Sequence, residues 1–285
     1  MHDDAESVAQ RAKLLSILDE CDEADDLSRR LRKCGQKLSL LCDGCLNRRV
    51  VSTRCDLKWC PVCQRARAAM TTDRFKRVMQ ECGVRWPLFV TFTVKHDERD
   101  DWELVRHVRR AHTKFRRHRW FKQRVRGGVV AFECQNDRGR LHPHAHCLFD
   151  CRWFSVSVQE PSSFASKEGW KTAARRACTE VAEIWRDCVG REGSIKVRRV
   201  WKRDGGDVGG ALAEVIKYSV CGATLVKLPP KDVVQLIRVL DRTRNVAAFG
   251  TFFGHTKVMQ RRLAPAMCEC GCSKWVPEEF HATTH

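Results

Sequence analysis

Apolar positions change their period along this chain. "PLFVTFTVK", Pro87 to Lys95, is rich in β-branched and aromatic residues and predicts a strand. Residues 101–126 read as a helix, stopped by Gly127 and Gly128. "GVVAFEC" (128–134) predicts a second strand, "QNDRGR" a turn and "LHPHAHCLF" (141–149) a third strand, so 128–149 reads as a β-hairpin. A long helix over 166–189 ends at Gly190, and "SIKVRRVW" (194–201) alternates as a fourth strand. A glycine-rich loop, "DGGDVGG", leads into a helix over about 208–221, where Val208, Ala211, Leu212, Val215 and Ile216 keep helical spacing. Further helices are expected over 61–82, with Pro61 in the first turn, and over 230–243.

The central order is therefore β-α-β-β-α-β with a helix after it. That is the split-βαβ, ferredoxin-like arrangement, an α+β fold with a mostly antiparallel sheet and helices on one face. Around it the chain divides into an acidic helical segment (1–33), a cysteine-rich module (34–70), a central domain (71–225) and a basic, cysteine-containing extension (226–285).

Charge changes the picture. The net charge is +18, yet residues 1–26 carry nine acids and two bases, so the rest of the chain is more basic still. Such a body attracts polyanions, with nucleic acid the default partner. No run of about 18 apolar residues exists, so no membrane span is expected. The N-terminus is acidic and lacks an apolar stretch, which does not fit a signal peptide. Seventeen cysteines, an odd number, in a chain read as cytoplasmic point to metal ligands where they cluster and to small buried hydrophobes where they scatter.

His142, His144 and His146 alternate, so a strand points them all to one face, about 7 Å apart between successive members. The hairpin brings Glu133, the sole acid of its strand, across from them. Two imidazoles and one carboxylate make a mixed N/O site suited to Mg²⁺ or Mn²⁺ when a phosphate supplies further oxygens. The competing reading is a surface histidine strip with Glu133 in a local ion pair. His142 precedes Pro143 at the strand entry and is the weakest ligand candidate, with contact to DNA or substrate phosphate as its other use.

The single tyrosine, Tyr218, follows Glu214 by one helical turn on the border of the apolar face. A tyrosine hydroxyl can attack a phosphodiester and hold it as a phosphotyrosine. A half-buried anchoring tyrosine is the alternative. Lys217 adds positive potential beside it, although its side chain turns toward the polar face.

Three stretches, in order, carry a family resemblance: "FVTFTVKH" (89–96), "HPHAHCLF" (142–149) and "EVIKY" (214–218). Over roughly residues 34–255 the chain resembles the HUH endonuclease superfamily, in particular the single-tyrosine rolling-circle replication initiators of small plasmids. The resemblance implies a metal-dependent single-strand endonuclease and strand transferase. Tyr218 would nick the origin and keep the 5′ phosphate, and the free 3′ hydroxyl would prime synthesis, with host helicase and polymerase as implied partners. His144 and His146 would bind the ion, and Glu214 would activate water for the terminating cleavage. Family members often carry a lysine three residues past the tyrosine, where this chain has Cys221. "AAFGTFFGH" (247–255) is loosely similar to a segment near the family's C-terminus. The other readings are a transposase or relaxase with the same chemistry, and a non-enzymatic zinc-containing DNA-binding regulator.

Cys42-x2-Cys45 and Cys60-x2-Cys63 have the spacing of a four-cysteine zinc site, while Cys34 and Cys55 make six candidates for four places. The family resemblance favours Cys55, Cys60 and Cys63 with one upstream cysteine. Cys268, Cys270 and Cys272 suggest a second site that would need a fourth ligand, with His281 the candidate. From Arg106 to Arg126 there are ten Lys/Arg and no acid. Arg109, Arg110, Arg116 and Arg117 are thus candidates for phosphate binding, with Phe115, Trp120 and Phe121 available either to stack on bases or to face the sheet as core. "KVRRVWKR" (196–203) offers a second basic edge beside the site.

Overall fold

A computed structural model describes residues 5–84, 87–95, 101–137, 140–153, 155, 166–190, 192–199, 208–217, 225–241, 244–255 and 267–278. Its elements are α1 (Ala5–Asp19), a 3₁₀ turn (Asp22–Ala24), α2 (Asp25–Arg32), β1 (Lys37–Cys42), β2 (Arg48–Ser52), α3 (Pro61–Glu81), β3 (Pro87–Val94), α4 (Asp101–Arg117), α5 (Arg119–Arg124), β4 (Gly127–Asp137), β5 (Arg140–Asp150), α6 (Lys167–Val189), β6 (Gly193–Arg199), α7 (Val208–Lys217), α8 (Pro230–Asp241), β7 (Val246–Gly250), α9 (Phe252–His255) and β8 (Trp275–Pro277). The end of the fourth strand expected at 200–201, the end of the helix expected at 218–221, Tyr218 and His281 lie outside the described residues.

The expected β-α-β-β-α-β unit is present. Its strands pair antiparallel in the order β6-β3-β5-β4, and β7 adds a fifth strand on the β4 edge. That order brings the first and third strands of the unit side by side at the centre, as the ferredoxin-like arrangement requires. The helices between the strands, α4, α5 and α6, cover one face. Phe92, Phe115, Phe121, Phe149, Trp185 and Phe249 fill that layer. The opposite face is covered as well, by α3 and α7, through Phe75, Val78, Met79, Leu212, Val215 and Ile216 packed on Phe89, Val129, Ala131 and Leu148.

Local chemistry explains the element ends. Pro61 starts α3, and Gly83 follows its end at φ +58°. Ser166 caps α6 by accepting from the Gly169 N–H, and Gly190 closes it at φ +69°. The single helix expected over 101–126 is broken at His118, whose extended backbone and Nδ1, accepting from the Trp120 N–H at 3.2 Å, start α5 afresh. The break turns Trp120 and Phe121 onto Phe115 in the core.

Residues outside the unit are not a row of separate segments. Leu14, Leu18, Leu27 and Leu31 of α1 and α2 share a core with Trp59, Cys60, Cys63 and with Val233, Leu236, Ile237 and Leu240 of α8. The C-terminal extension therefore contributes α8 to this N-terminal core, β7 to the main sheet and β8 to a small sheet ordered β2-β1-β8.

Candidate metal and nucleic-acid site

The β4–β5 hairpin sets the site. In cross-strand register Ser194, Thr93, His144 and Glu133 form one row, and Lys196, Thr91, His146 and Ala131 the next. Directly opposed residues share a face, so all of these point to the side covered by α3 and α7. The apolar half of that face, around Phe89, Leu148 and Val129, lies under α7. The polar half continues from it along the same strands. α7 thus lies on the histidine face and is described as far as Lys217, the residue before Tyr218. The apolar stripe of α7 is as expected, with Ala211, Leu212, Val215 and Ile216 all buried. The side chains of Glu214 and Lys217 lie outside the described residues, as does Tyr218.

Glu133 is 2% exposed and accepts a hydrogen bond from His146 Nε2 at 2.7 Å. His146 Nδ1 lies 3.2 Å from Thr91 Oγ1, so Thr91 donates to it when the proton sits on Nε2. His142 is committed differently. Its Nε2 donates to the Val94 carbonyl at 3.3 Å, at the end of the sheet where Pro143 has no N–H to offer. The ladder between β3 and β5 stops at Thr93 and His144, which is why a central strand tolerates this proline.

His144 stands between them, with its ring 4.4 Å from that of His142 and 5.9 Å from that of His146. Both ring nitrogens are buried and have no hydrogen-bond partner among the described residues. Burial pushes its pKa down to about 3, and His142 and His146 push the same way. A neutral imidazole is the form that binds metal. A buried donor–acceptor pair with no partner costs about 1–3 kcal/mol, and a cation would relieve half of it. The Glu133–His146 hydrogen bond would give way to a divalent ion bound to both. The donor set therefore fits an N/O-liganded cation, although His144 is not drawn in with the other two. Among the described residues only cysteines bring their ligand atoms all within 4.8 Å of one another.

Those cysteines form two groups, not one. Cys60 and Cys63 join Cys34 and Cys55, with sulfur separations of 3.4 Å for Cys34–Cys63, 3.5 Å for Cys34–Cys60 and 3.6 Å for Cys55–Cys63. Cys42 and Cys45 join Cys268 and Cys270 instead. The single four-cysteine set expected from Cys42, Cys45, Cys60 and Cys63 is thereby divided. The spacing suited one site, but the chain carries Cys42 to the far end of β1, away from the first turn of α3. The first group can hold a metal ion such as zinc, since four sulfurs about 2.3 Å from one ion stand about 3.8 Å apart. Hydrogen bonds from Cys55, Cys60 and Cys63 hold the Cys34 thiol far below its ordinary pKa, the behaviour of sulfurs crowded enough to share protons.

The basic helix splits likewise. Arg109 donates to the Arg244 carbonyl at 3.0 Å and to Asn245 Oδ1 at 2.9 Å, with its guanidinium 4.4 Å over Phe132. Arg116 lies 4.5 Å over Phe249. Both hold α4 to the β4–β7 side of the sheet. Arg110 and Arg117 are exposed, but on the face opposite the histidines. Phe115, Trp120 and Phe121 are at most 5% exposed, so they are core and do not stack on bases. On the histidine face it is Lys196 that stands exposed, in the same row as His146 and two strands away.

A sequence profile of the family described as replication protein matches residues 48–265. The chain belongs to the replication protein family. Membership supports a plasmid replication initiator, a class that binds DNA and generally nicks it. Comparison with curated proteins and with solved structures returned no match. The family match spans the whole main sheet, the histidine–glutamate set and α7. No helix among the described residues is long and apolar enough to cross a membrane.

Proposed function

We propose that this member of the replication protein family nicks and rejoins single-stranded DNA at a plasmid origin, using Tyr218 as nucleophile and His144, His146 and Glu133 as ligands for Mn²⁺ or Mg²⁺. The observation that carries the reading is His144, half-buried, with both ring nitrogens buried and unpartnered among the described residues, beside the Glu133–His146 pair and on the face that α7 covers. A purely structural histidine would have a partner. The ion, when bound, would polarise the scissile phosphate and stabilise developing charge.

The rest is work for the chain's own groups. The Tyr218 hydroxyl loses its proton and attacks phosphorus. The bond to the 3′ oxygen breaks, that oxygen takes up a proton to leave a free 3′ hydroxyl, and a 5′-phosphotyrosine forms. Glu214 is assigned to the terminating step, where it takes a proton from the attacking water, since the sequence holds no second tyrosine. Thr91 orients His146, and Lys196 attracts the strand along the β6 edge.

The test is a denaturing gel of the full chain with a labelled single-stranded oligonucleotide of its plasmid origin and Mn²⁺ or Mg²⁺. A covalent adduct that disappears in Tyr218→Phe supports the reading. Cleavage undiminished in that variant overturns the tyrosine assignment, and binding without cleavage under any metal favours the DNA-binding regulator.

A further inference from the structure

We propose that Cys42, Cys45, Cys268 and Cys270 hold a second zinc ion, in a closed structural site that clips the C-terminal segment of the chain onto the N-terminal β-hairpin. The proposal is independent of the nicking chemistry.

The sulfurs supply the first argument. Cys42–Cys270 are 3.5 Å apart and Cys45–Cys268 3.4 Å, and all four lie within 4.8 Å of one another. The separations are near the ~3.8 Å edge of a tetrahedral zinc–thiolate site and far from the ~2.05 Å of a disulfide. The ligand pairs sit on two facing turns. The Leu46 N–H donates to the Cys42 carbonyl at 2.9 Å, and the Gly271 N–H donates to the Cys268 carbonyl at 2.8 Å. Each turn has a left-handed residue just past its second cysteine, Leu46 at φ +60° and Gly271 at φ +84°. Leucine rarely adopts that conformation, so something must hold the first turn in it. Gly44 lets the turns close. A Cβ there would meet Cys272 Cβ at 3.3 Å and the Cys270 sulfur at 3.7 Å.

The small sheet supplies the second argument. It joins β1 to β8, more than two hundred residues apart, through only three register pairs, Leu40–Pro277, Leu41–Val276 and Cys42–Trp275. Along β1, β2 and β8 no residue except Cys42 is fully buried. Two ion pairs, Lys274–Asp43 at 2.9 Å and Arg48–Glu278 at 3.0 Å, lace its surface and are exposed. Exposed pairs add at most about 1 kcal/mol each. A three-stranded sheet with no apolar core does not hold its own shape, and a metal is the usual substitute. Four thiolates favour Zn²⁺ over Mg²⁺ or Mn²⁺, and four protein ligands leave no position for substrate.

All four ligands lie outside the segment that matches the family, which begins at residue 48 and ends at 265. The clip therefore joins the two flanks of the family-matched region.

Elemental analysis of the purified full chain tests this. Two zinc ions per chain are expected, falling to one in the Cys268→Ser/Cys270→Ser double variant, with new protease cuts confined to residues after 266. One zinc in the wild-type chain overturns the proposal, as does retention of two in the double variant. A metal-free mass four hydrogens below that of the reduced chain, meaning two disulfides, also overturns it. If the variant does not fold, Co²⁺ titration of the wild-type chain decides. Two equivalents with tetrathiolate absorption support the second site, and a single equivalent refutes it.

Discussion

Glu133 stands directly opposite His144 on the neighbouring strand, yet its carboxylate bonds to His146, two residues further along, at 2.7 Å. The diagonal choice leaves His144 with buried, unpartnered nitrogens and makes Glu133 the hinge of the proposed metal set. Two substitutions separate its roles. Glu133→Gln keeps an acceptor for His146, so thermal stability should change by only about 1 kcal/mol. It removes the charge that a divalent ion needs, so Mn²⁺ affinity measured by calorimetry should fall about 10- to 100-fold. His144→Ala should cut nicking by at least about 100-fold while duplex binding is retained. Nicking at the wild-type rate in His144→Ala would remove this histidine from the site.

Acid should unfold the domain early. His144 and His112 both have pKa values pushed from 6.5 to about 3, in each case chiefly by burial. Above pH 6.5 both are neutral whether folded or unfolded and contribute no pH dependence. Between 6.5 and about 3 the unfolded chain binds protons that the folded chain refuses. Stability is therefore lost as pH falls, by about 1.4 kcal/mol per pH unit for each histidine. His112 is buried among Phe92, Phe132 and Phe249, away from the metal set. Urea melts of His112→Gln between pH 7 and 4 should show about half the wild-type slope, and an unchanged slope would mean that other groups dominate.

Two basic surfaces lie on opposite faces, and they should separate by assay. Arg110→Ala with Arg117→Ala, on α4, should weaken duplex binding and reduce the salt slope by about 2 without changing single-strand cleavage. Lys196→Ala, in the His146 row, should weaken binding of the single strand and lower its slope by about 0.7. Arg109→Ala is a different experiment. Its guanidinium is spent on Arg244, Asn245 and Phe132, so the expected effect is about 1–3 kcal/mol of stability, read by thermal melting.

The residues that could be read in the sequence are those whose neighbours are local. The β4–β5 hairpin, the Glu133–histidine juxtaposition and the buried stripe of α7 all follow from spacing over a dozen positions or so. What could not be read depends on distant partners. β7 and β8 have five and three residues, too few to show a period, and each is defined by a strand far away in sequence. The division of the cysteines is of the same kind. Cys42-x2-Cys45 looks identical whether it closes on Cys60 or on Cys268, and the choice is made by where β1 ends. Arginine is ambiguous for another reason. Arg109 and Arg116 resemble Arg110 and Arg117 until an aromatic ring is found beneath the guanidinium.

The first cysteine group yields the last prediction. Cys34, Cys60 and Cys63 are 0–4% exposed and belong to the same core as α1, α2 and α8. Cys34 lies just past the end of α2, and Cys60 and Cys63 flank the start of α3. A zinc ion there would tie the N-terminal helices to α3, within the core that α8 shares. Losing it removes a tie between α3, which packs on the main sheet, and the helices α1, α2 and α8. Hydrogen exchange should then show α1, α2 and α8 opening together when a strong chelator is added, while β3, β4 and β5 stay protected. Cys60→Ser should reproduce that pattern without chelator. If the helices instead keep their protection after zinc is removed and its loss is verified by elemental analysis, their apolar core suffices without the metal.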